Sequence, residues 1–278
     1  MQLWPPEPTA AARGFALQYS YQHCYTSSVD NAGMENEPAS AALSPELTQK
    51  VAVSVALLQD AVRDHGRVVY ASSLGSESVV LTDLIYRHAP QIDIFTVDTG
   101  RLPEATLELL ARIERHYQRR IRVVFPEAQR VQNYVHEHGV NGFYQGLAQR
   151  QACCNIRKVE PFQRAIVGYN AWVTGIRHEQ STERAATQTL EFDPRYRVHK
   201  VNPLLPWTHE EVWSYIRAHK LPYNSLHDQG YPSIGCAPCT RAIEPGQDSR
   251  SGRWWWENPE SRECGLQPRQ LPGSISDL

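Results

Sequence analysis

The spacing of apolar positions switches repeatedly between two periods along this chain. Over residues 44–65 they recur every three to four positions, which predicts an amphipathic helix, and Pro45 suits a first helical position. Residues 67–72 (RVVYAS) are rich in β-branched side chains and predict a buried strand; helical spacing returns over 77–88. The alternation continues with a strand at 93–98 (DIFTVD), a helix at 103–117 and a strand at 121–126. Helical patterns follow over 127–138 and 143–168, then a short strand at 171–175 (AWVTG) and an extended stretch at 198–204. Thr208-His-Glu-Glu211 reads as a capping box opening a helix to about Lys220, with Trp207 and Val212 placed for a hydrophobic staple. Apolar strands alternating with helices predict an α/β fold, a mostly parallel sheet with helices on both faces. From Pro222 onward glycine, proline and polar residues dominate, so an irregular C-terminal tail is expected.

Composition narrows the class. The chain has 278 residues, 41% hydrophobic and 21% charged, as in ordinary soluble globular proteins, with a formal net charge of −2. No overall basic field points to a nucleic acid, and no apolar run reaches the roughly 18–20 residues of a membrane span. No secretory signal pattern is present, so a cytoplasmic protein is expected. Residues 1–43 carry Pro5, Pro6 and Pro8 and no periodicity, and are expected to be a flexible extension; Met34 is the only methionine besides Met1, so residues 1–33 read as upstream sequence. Residues 44–240 then form the α/β domain, and 241–278 a basic loop and mobile tail.

Two features carry candidate chemistry. The first strand runs into Ser72-Ser73-Leu74-Gly75-Ser76-Glu77-Ser78 and then a helix. Free N–H groups and the helix dipole attract anions at such a junction, and Gly75 permits close backbone approach. The loop lacks both the Gly-Lys-Ser/Thr of a Walker A loop and the G-x-G-x-x-G of a dinucleotide turn. The second feature is a set of cysteines: Cys153-Cys154 and Cys236-Ala-Pro-Cys239. In a reducing compartment they read as soft metal ligands, for zinc or an iron–sulfur cluster. An adjacent pair is awkward for one small tetrahedral ion, because neighbouring side chains diverge; a larger cluster accepts it more easily. Cys24 and Cys264 complete the six, and Cys24 is assigned no role.

The motifs together resemble a known family. Ser-x-Gly-x-Glu-Ser after the first strand is similar to the modified PP-loop of adenine nucleotide alpha-hydrolases, without the second glycine of the ATP-cleaving members. Asp98-Thr99-Gly100-Arg101 ends the next strand as in that group. Cys153-Cys154-Asn-Ile-Arg157-Lys158-Val-Glu-Pro161, Gly235-Cys236-Ala-Pro-Cys239-Thr-Arg241, Arg250-Ser-Gly-Arg253-Trp-Trp-Trp-Glu257 and Glu263-Cys264-Gly265-Leu266 resemble segments of assimilatory adenylyl-sulfate (APS) reductases. The resemblance covers about residues 44–267. It implies a Rossmann-like fold, with Cys264 as the nucleophile that forms an S-sulfocysteine and releases AMP. It also implies a [4Fe–4S] cluster on Cys153, Cys154, Cys236 and Cys239. Thioredoxin or glutaredoxin would be the reductant, and a homo-oligomer is expected.

Substrate contacts are expected from Ser72, Ser73, Gly75, Ser76, Glu77, Lys158, Gly175, Arg177, Arg184, Arg250 and Arg253. The three tryptophans are expected to anchor their loop more than to stack on a base. Gln267 stands where the family has histidine. The rival readings are reduction of the 3′-phosphorylated nucleotide (PAPS), an ATP-consuming PP-loop enzyme, and a non-enzymatic zinc module.

Overall fold

The computed structural model describes residues 42–180, 186–258 and 265–266, all within one compact unit, Ser40–Leu278. Ser44 caps the first helix, α1 (Pro45–His65): its hydroxyl accepts from the Leu47 N–H at 3.1 Å, and Pro45 opens the first turn. Gly66, at φ 70°, stops it. The order continues β1 (Val68–Ser72), α2 (Ser76–His88), β2 (Asp93–Val97), α3 (Glu104–Tyr117), β3 (Arg122–Val124) and α4 (Ala128–His138). Then come α5 (Leu147–Cys154), α6 (Glu160–Ile166), β4 (Ala171–Val173), β5 (Leu190–Asp193), β6 (Val198–Val201) and α7 (His209–Ala218).

The strands form one sheet in the order β3-β2-β1-β4-β6-β5, parallel except for β5, which runs antiparallel to β6. Alternation along β1 and β4 divides the core in two, as the strand's two-residue period requires. Val68, Tyr70, Ala171 and Val173 pack with α1, α2, α3 and α7; Val69 and Trp172 pack on the other face with Phe162, Ala165 and Ile166 of α6. The capping box forms in full, with the Thr208 hydroxyl accepting from Glu211 N–H and Glu211 accepting from Thr208 N–H. Trp207 and Val212 are buried in the same cluster, and the Trp207 indole donates to Ser54 at 3.1 Å.

Three sequence expectations are revised. The helix expected over 143–168 is broken: a 3₁₀ turn at Gly142–Tyr144 precedes α5, and a π-helix, Asn155–Val159, joins α5 to α6. Such widened turns cluster at functional sites. The strand expected over 121–126 shrinks to three residues at the sheet edge. The antiparallel β5 was not anticipated, because Leu190-Glu-Phe-Asp193 alternates over only four positions.

Buried polarity ties the helices together. Asp83 of α2 has no exposed surface, and accepts from Tyr117 of α3, Tyr215 of α7 and Arg87, each at 2.7 Å. Burial and the adjacent carboxylate push both phenols far above their ordinary range.

Candidate active site

The carboxyl ends of β1, β2 and β4 open into one cleft of about 330 Å³. It lies where the chain, having added strands on one side of β1, crosses to β4 on the other, the switch point at which open α/β sheets bind ligands. The anion loop forms one wall. Gly75 precedes α2 in extended backbone, and no side chain caps the helix, leaving its first-turn N–H groups without helical partners. The loop is tied from within: Ser78 Oγ accepts from Ser73 N–H at 3.0 Å and lies 2.8 Å from Ser73 Oγ. Leu74, at φ 58°, holds a conformation that a leucine adopts only under tertiary constraint.

Glu77 faces Arg177 across this wall. Arg177 is 5% exposed; its guanidinium donates to Glu77 at 2.9 Å and to Glu179 at 2.6 Å, while Gln180 also donates to Glu77 at 2.9 Å. Burial pushes the Glu77 carboxyl up, but the Arg177 charge and these hydrogen bonds outweigh it and hold it below the ordinary value. Gly175 lets the two segments close: a Cβ there would sit 3.2 Å from Glu77 Cβ.

The same cleft is lined by the cysteines. Cys239 is buried beside Phe143 and Trp254, with Cys153, Cys154, Cys236 and Trp256 packed around them. α5 delivers Cys153 and Cys154, and a 3₁₀ turn, Ala237–Cys239, delivers the second pair. That turn is pinned by Ala237 N–H donating to Arg101 C=O at 2.8 Å, and Thr99 Oγ1 lies 3.2 Å from Cys236 Sγ. Arg157, from the π-helix, donates to Thr99 C=O at 2.8 Å. As free thiols Cys153 and Cys239 are driven up by burial and by neighbouring thiolate charge, against the opposing pull of Arg157 on Cys153 and Arg253 on Cys239.

This donor set suits a multi-iron cluster. It is all sulfur, and soft. Among the described residues no three or more His, Cys, Asp or Glu close on the position of a single metal ion. The buried indole N–H groups of Trp254 and Trp256, beside the thiols, have no hydrogen-bond partner among the described residues. Buried donors without partners are rare, and sulfur acceptors at the centre of this cluster would satisfy them.

The cleft brings together Ser72, Ser73, Gly75, Ser76, Glu77, Lys158, Gly175, Arg177, Arg250, Arg253 and all four paired cysteines. Arg184, Cys264 and Gln267 lie outside the described residues, as does Cys24. Gly265 and Leu266 are described: Leu266 lines the cleft and packs on the core cluster of Phe162 and Trp172, and a Cβ on Gly265 would lie 3.2 Å from Val159. Trp254 is 2% exposed, so it packs inside its loop, as expected of an anchor.

The arginine loop depends on two glycines. A Cβ at Gly235 would stand 2.2 Å from the Arg253 guanidinium, and one at Gly252 would stand 2.3 Å from Arg241 C=O, inside the Thr240–Arg253 bridge. Sequence reading missed Arg101 and Arg150 as cleft residues. Arg150 offered no signal; Arg101 was quoted only as the end of a turn motif.

A strand–loop–helix junction at a topological switch point, sharing one cleft with four thiols, fits an α/β enzyme that binds an anionic ligand. The phosphoadenosine phosphosulfate reductase domain model matches residues 67–242, and the chain belongs to this family. It is 52% identical to an adenosine 5′-phosphosulfate reductase of Allochromatium vinosum, over 81% of this chain and 88% of that protein. It resembles a crystal structure of phosphoadenylyl-sulfate reductase from Candida auris in a phosphate complex, with TM-score 0.59 and 26% identity, over 74% of this chain and 100% of that one. An FMN adenylyltransferase of Candida glabrata shares the fold at TM-score 0.51 and 14% identity, covering 82% of this chain and 81% of the other.

Proposed function

We propose that this protein reduces APS to sulfite and AMP, with Cys264 as the nucleophile. The observation that supports it best is the seating of Leu266, two residues from Cys264, in the cleft that holds the anion loop. The loop, the α2 N-terminus and Arg253 would hold the phosphate, and Lys158 and Arg250 the sulfate charge. The Cys264 thiolate attacks the sulfate sulfur; the sulfur–oxygen bond to phosphate breaks and AMP leaves with its electron pair. An S-sulfocysteine remains. A thiolate of reduced thioredoxin, or of glutaredoxin, then attacks Cys264 Sγ, and sulfite leaves with the electrons of the sulfur–sulfur bond. The reductant's second thiol releases Cys264, leaving the reductant as a disulfide.

Cys153, Cys154, Cys236 and Cys239 would hold a [4Fe–4S] cluster. When bound, it supplies structural cross-linking and a fixed charge beside the substrate. Arg157 and Lys158, which line the same cleft, would offset repulsion between that charge and the sulfonucleotide. Arg177 orients Glu77, and a role for Arg184 in binding phosphate or ribose completes the set. The cytoplasm, which keeps thiols reduced, suits this chemistry. No described helix is long and apolar enough to cross a membrane. The likeness to a 52% identical APS reductase and the complete cysteine set favour APS over PAPS. An anaerobic assay comparing kcat/KM for both nucleotides, on protein whose iron and sulfide are measured, tests this. A strong PAPS preference, or ATP consumption, would overturn it.

A further inference from the structure

Arg150 and Glu257 form a buried ion pair at the cysteine wall. Their side chains are 1% and 6% exposed, and the contact is bidentate, Nε to Oε1 at 2.9 Å and Nη2 to Oε2 at 2.8 Å. Arg150 lies on α5, three residues before Cys153; Glu257 closes the tryptophan run. The Arg150 guanidinium stands 4.8 Å from the Trp254 ring centroid, and that of Arg253 stands 4.6 Å from the same ring. The Trp254 backbone N–H also donates to Cys239 C=O at 3.1 Å. Two cations on one buried ring repel each other, and Glu257 is the carboxylate paired with one of them.

We infer that Arg150 and Glu257 are a positioning pair, which fixes Trp254 and thereby aims Arg253 at the substrate anion. The inference rests on the proposed substrate. It makes the helix that carries Cys153 and Cys154 and the loop that carries Arg250 and Arg253 a single mechanical unit. Geometry favours this over a stabilising role alone. A buried pair that served only the fold could be exchanged for apolar groups with little loss, because desolvation offsets most of the attraction. Here Arg150 sits on the same ring as a candidate substrate contact, so its charge and its planar face both act on Arg253.

The test uses anaerobically purified, iron-loaded full-length protein. Glu257→Gln, Glu257→Asp and the double variant Arg150→Met/Glu257→Leu are compared with wild type for AMP affinity by calorimetry, KM and kcat for APS, iron content and thermal midpoint. Glu257→Gln is expected to weaken AMP binding at least tenfold and to raise KM more than it lowers kcat. Glu257→Asp, which keeps the charge, is expected to recover part of that loss. The double variant is expected to melt close to wild type yet still bind AMP at least tenfold more weakly. AMP affinity within threefold of wild type in the double variant, or in Glu257→Gln, would overturn the inference and leave a structural pair. Wild-type protein that binds no AMP would instead refute the substrate reading on which it rests.

Discussion

Replacing Gly235 with alanine places a methyl group 2.2 Å from Arg253 Nη2 and 2.5 Å from its Cζ. Ordinary contacts of this kind lie near 3.5 Å, so about 1 Å of overlap must be relieved. The glycine side has little freedom, because Gly235 N–H donates to Thr240 Oγ1 at 3.1 Å and Ala237 is bonded to Arg101. Arg253 therefore yields, giving up its 3.4 Å contact to Ser233 Oγ and its stack on Trp254. The guanidinium is the far end of a flexible side chain, so the fold survives at a cost of about 1 kcal/mol, mostly the lost cation–π contact. If Arg253 binds the substrate anion, its displacement removes a charged hydrogen bond worth roughly 1.5–3 kcal/mol. That is roughly a 10- to 140-fold loss of affinity. Calorimetric titration of AMP and a kinetic KM for APS read it directly, with the thermal midpoint as the control. An alanine variant that binds AMP within threefold of wild type would refute the assignment of Arg253.

Three further outcomes are expected. Cys264→Ser should abolish sulfite formation while iron content and visible absorbance stay at wild-type levels; sulfite at the normal rate would end the proposed mechanism. Asp83→Leu strands the hydroxyls of Tyr117 and Tyr215 and the charge of Arg87, and should cost about 3–5 kcal/mol in urea unfolding; a loss under 1 kcal/mol would show that the network is slack. Glu77 has a depressed pKa when folded, so its ionised form adds stability that is present above the ordinary value of 4.5 and is lost as pH falls through the lower folded value. The stability gap between wild type and Glu77→Gln should thus be level from pH 7 to 5 and shrink on further acidification; a gap that widens as pH falls would contradict the pairing with Arg177.

The alternation of period placed the sheet and the anion loop because both are local signals. The run from Val68 to Ser72 and the loop serines through Ser78 lie in one continuous stretch. The four cysteines were legible as a set through their type and spacing. That they share one cleft with the loop depends on the sheet's crossover, which no local pattern encodes. Arg150 was silent for the same reason: its meaning lies in Glu257 and Trp254, more than a hundred residues away. The break in the helix after Cys154 was invisible because Asn155-Ile-Arg-Lys-Val159 has ordinary helix propensity, and only packing selects the wider turn.

That wider turn behaves as a one-residue insertion carried inside a helix. Each residue of an α-helix advances the face by about 100°. Winding the same residues as regular α-helix from Asn155 to Val159, with none removed, would add one such step between α5 and α6. Everything beyond would swing by about 100°, and Phe162, Ala165 and Ile166 would leave the sheet. The wide turn thus absorbs the extra residue: upstream two adjacent thiols stay aimed at the cleft, and downstream apolar side chains stay aimed at the core. Chains that keep the tandem cysteines but lack that residue could run from the second cysteine to the proline as regular α-helix with the same two faces.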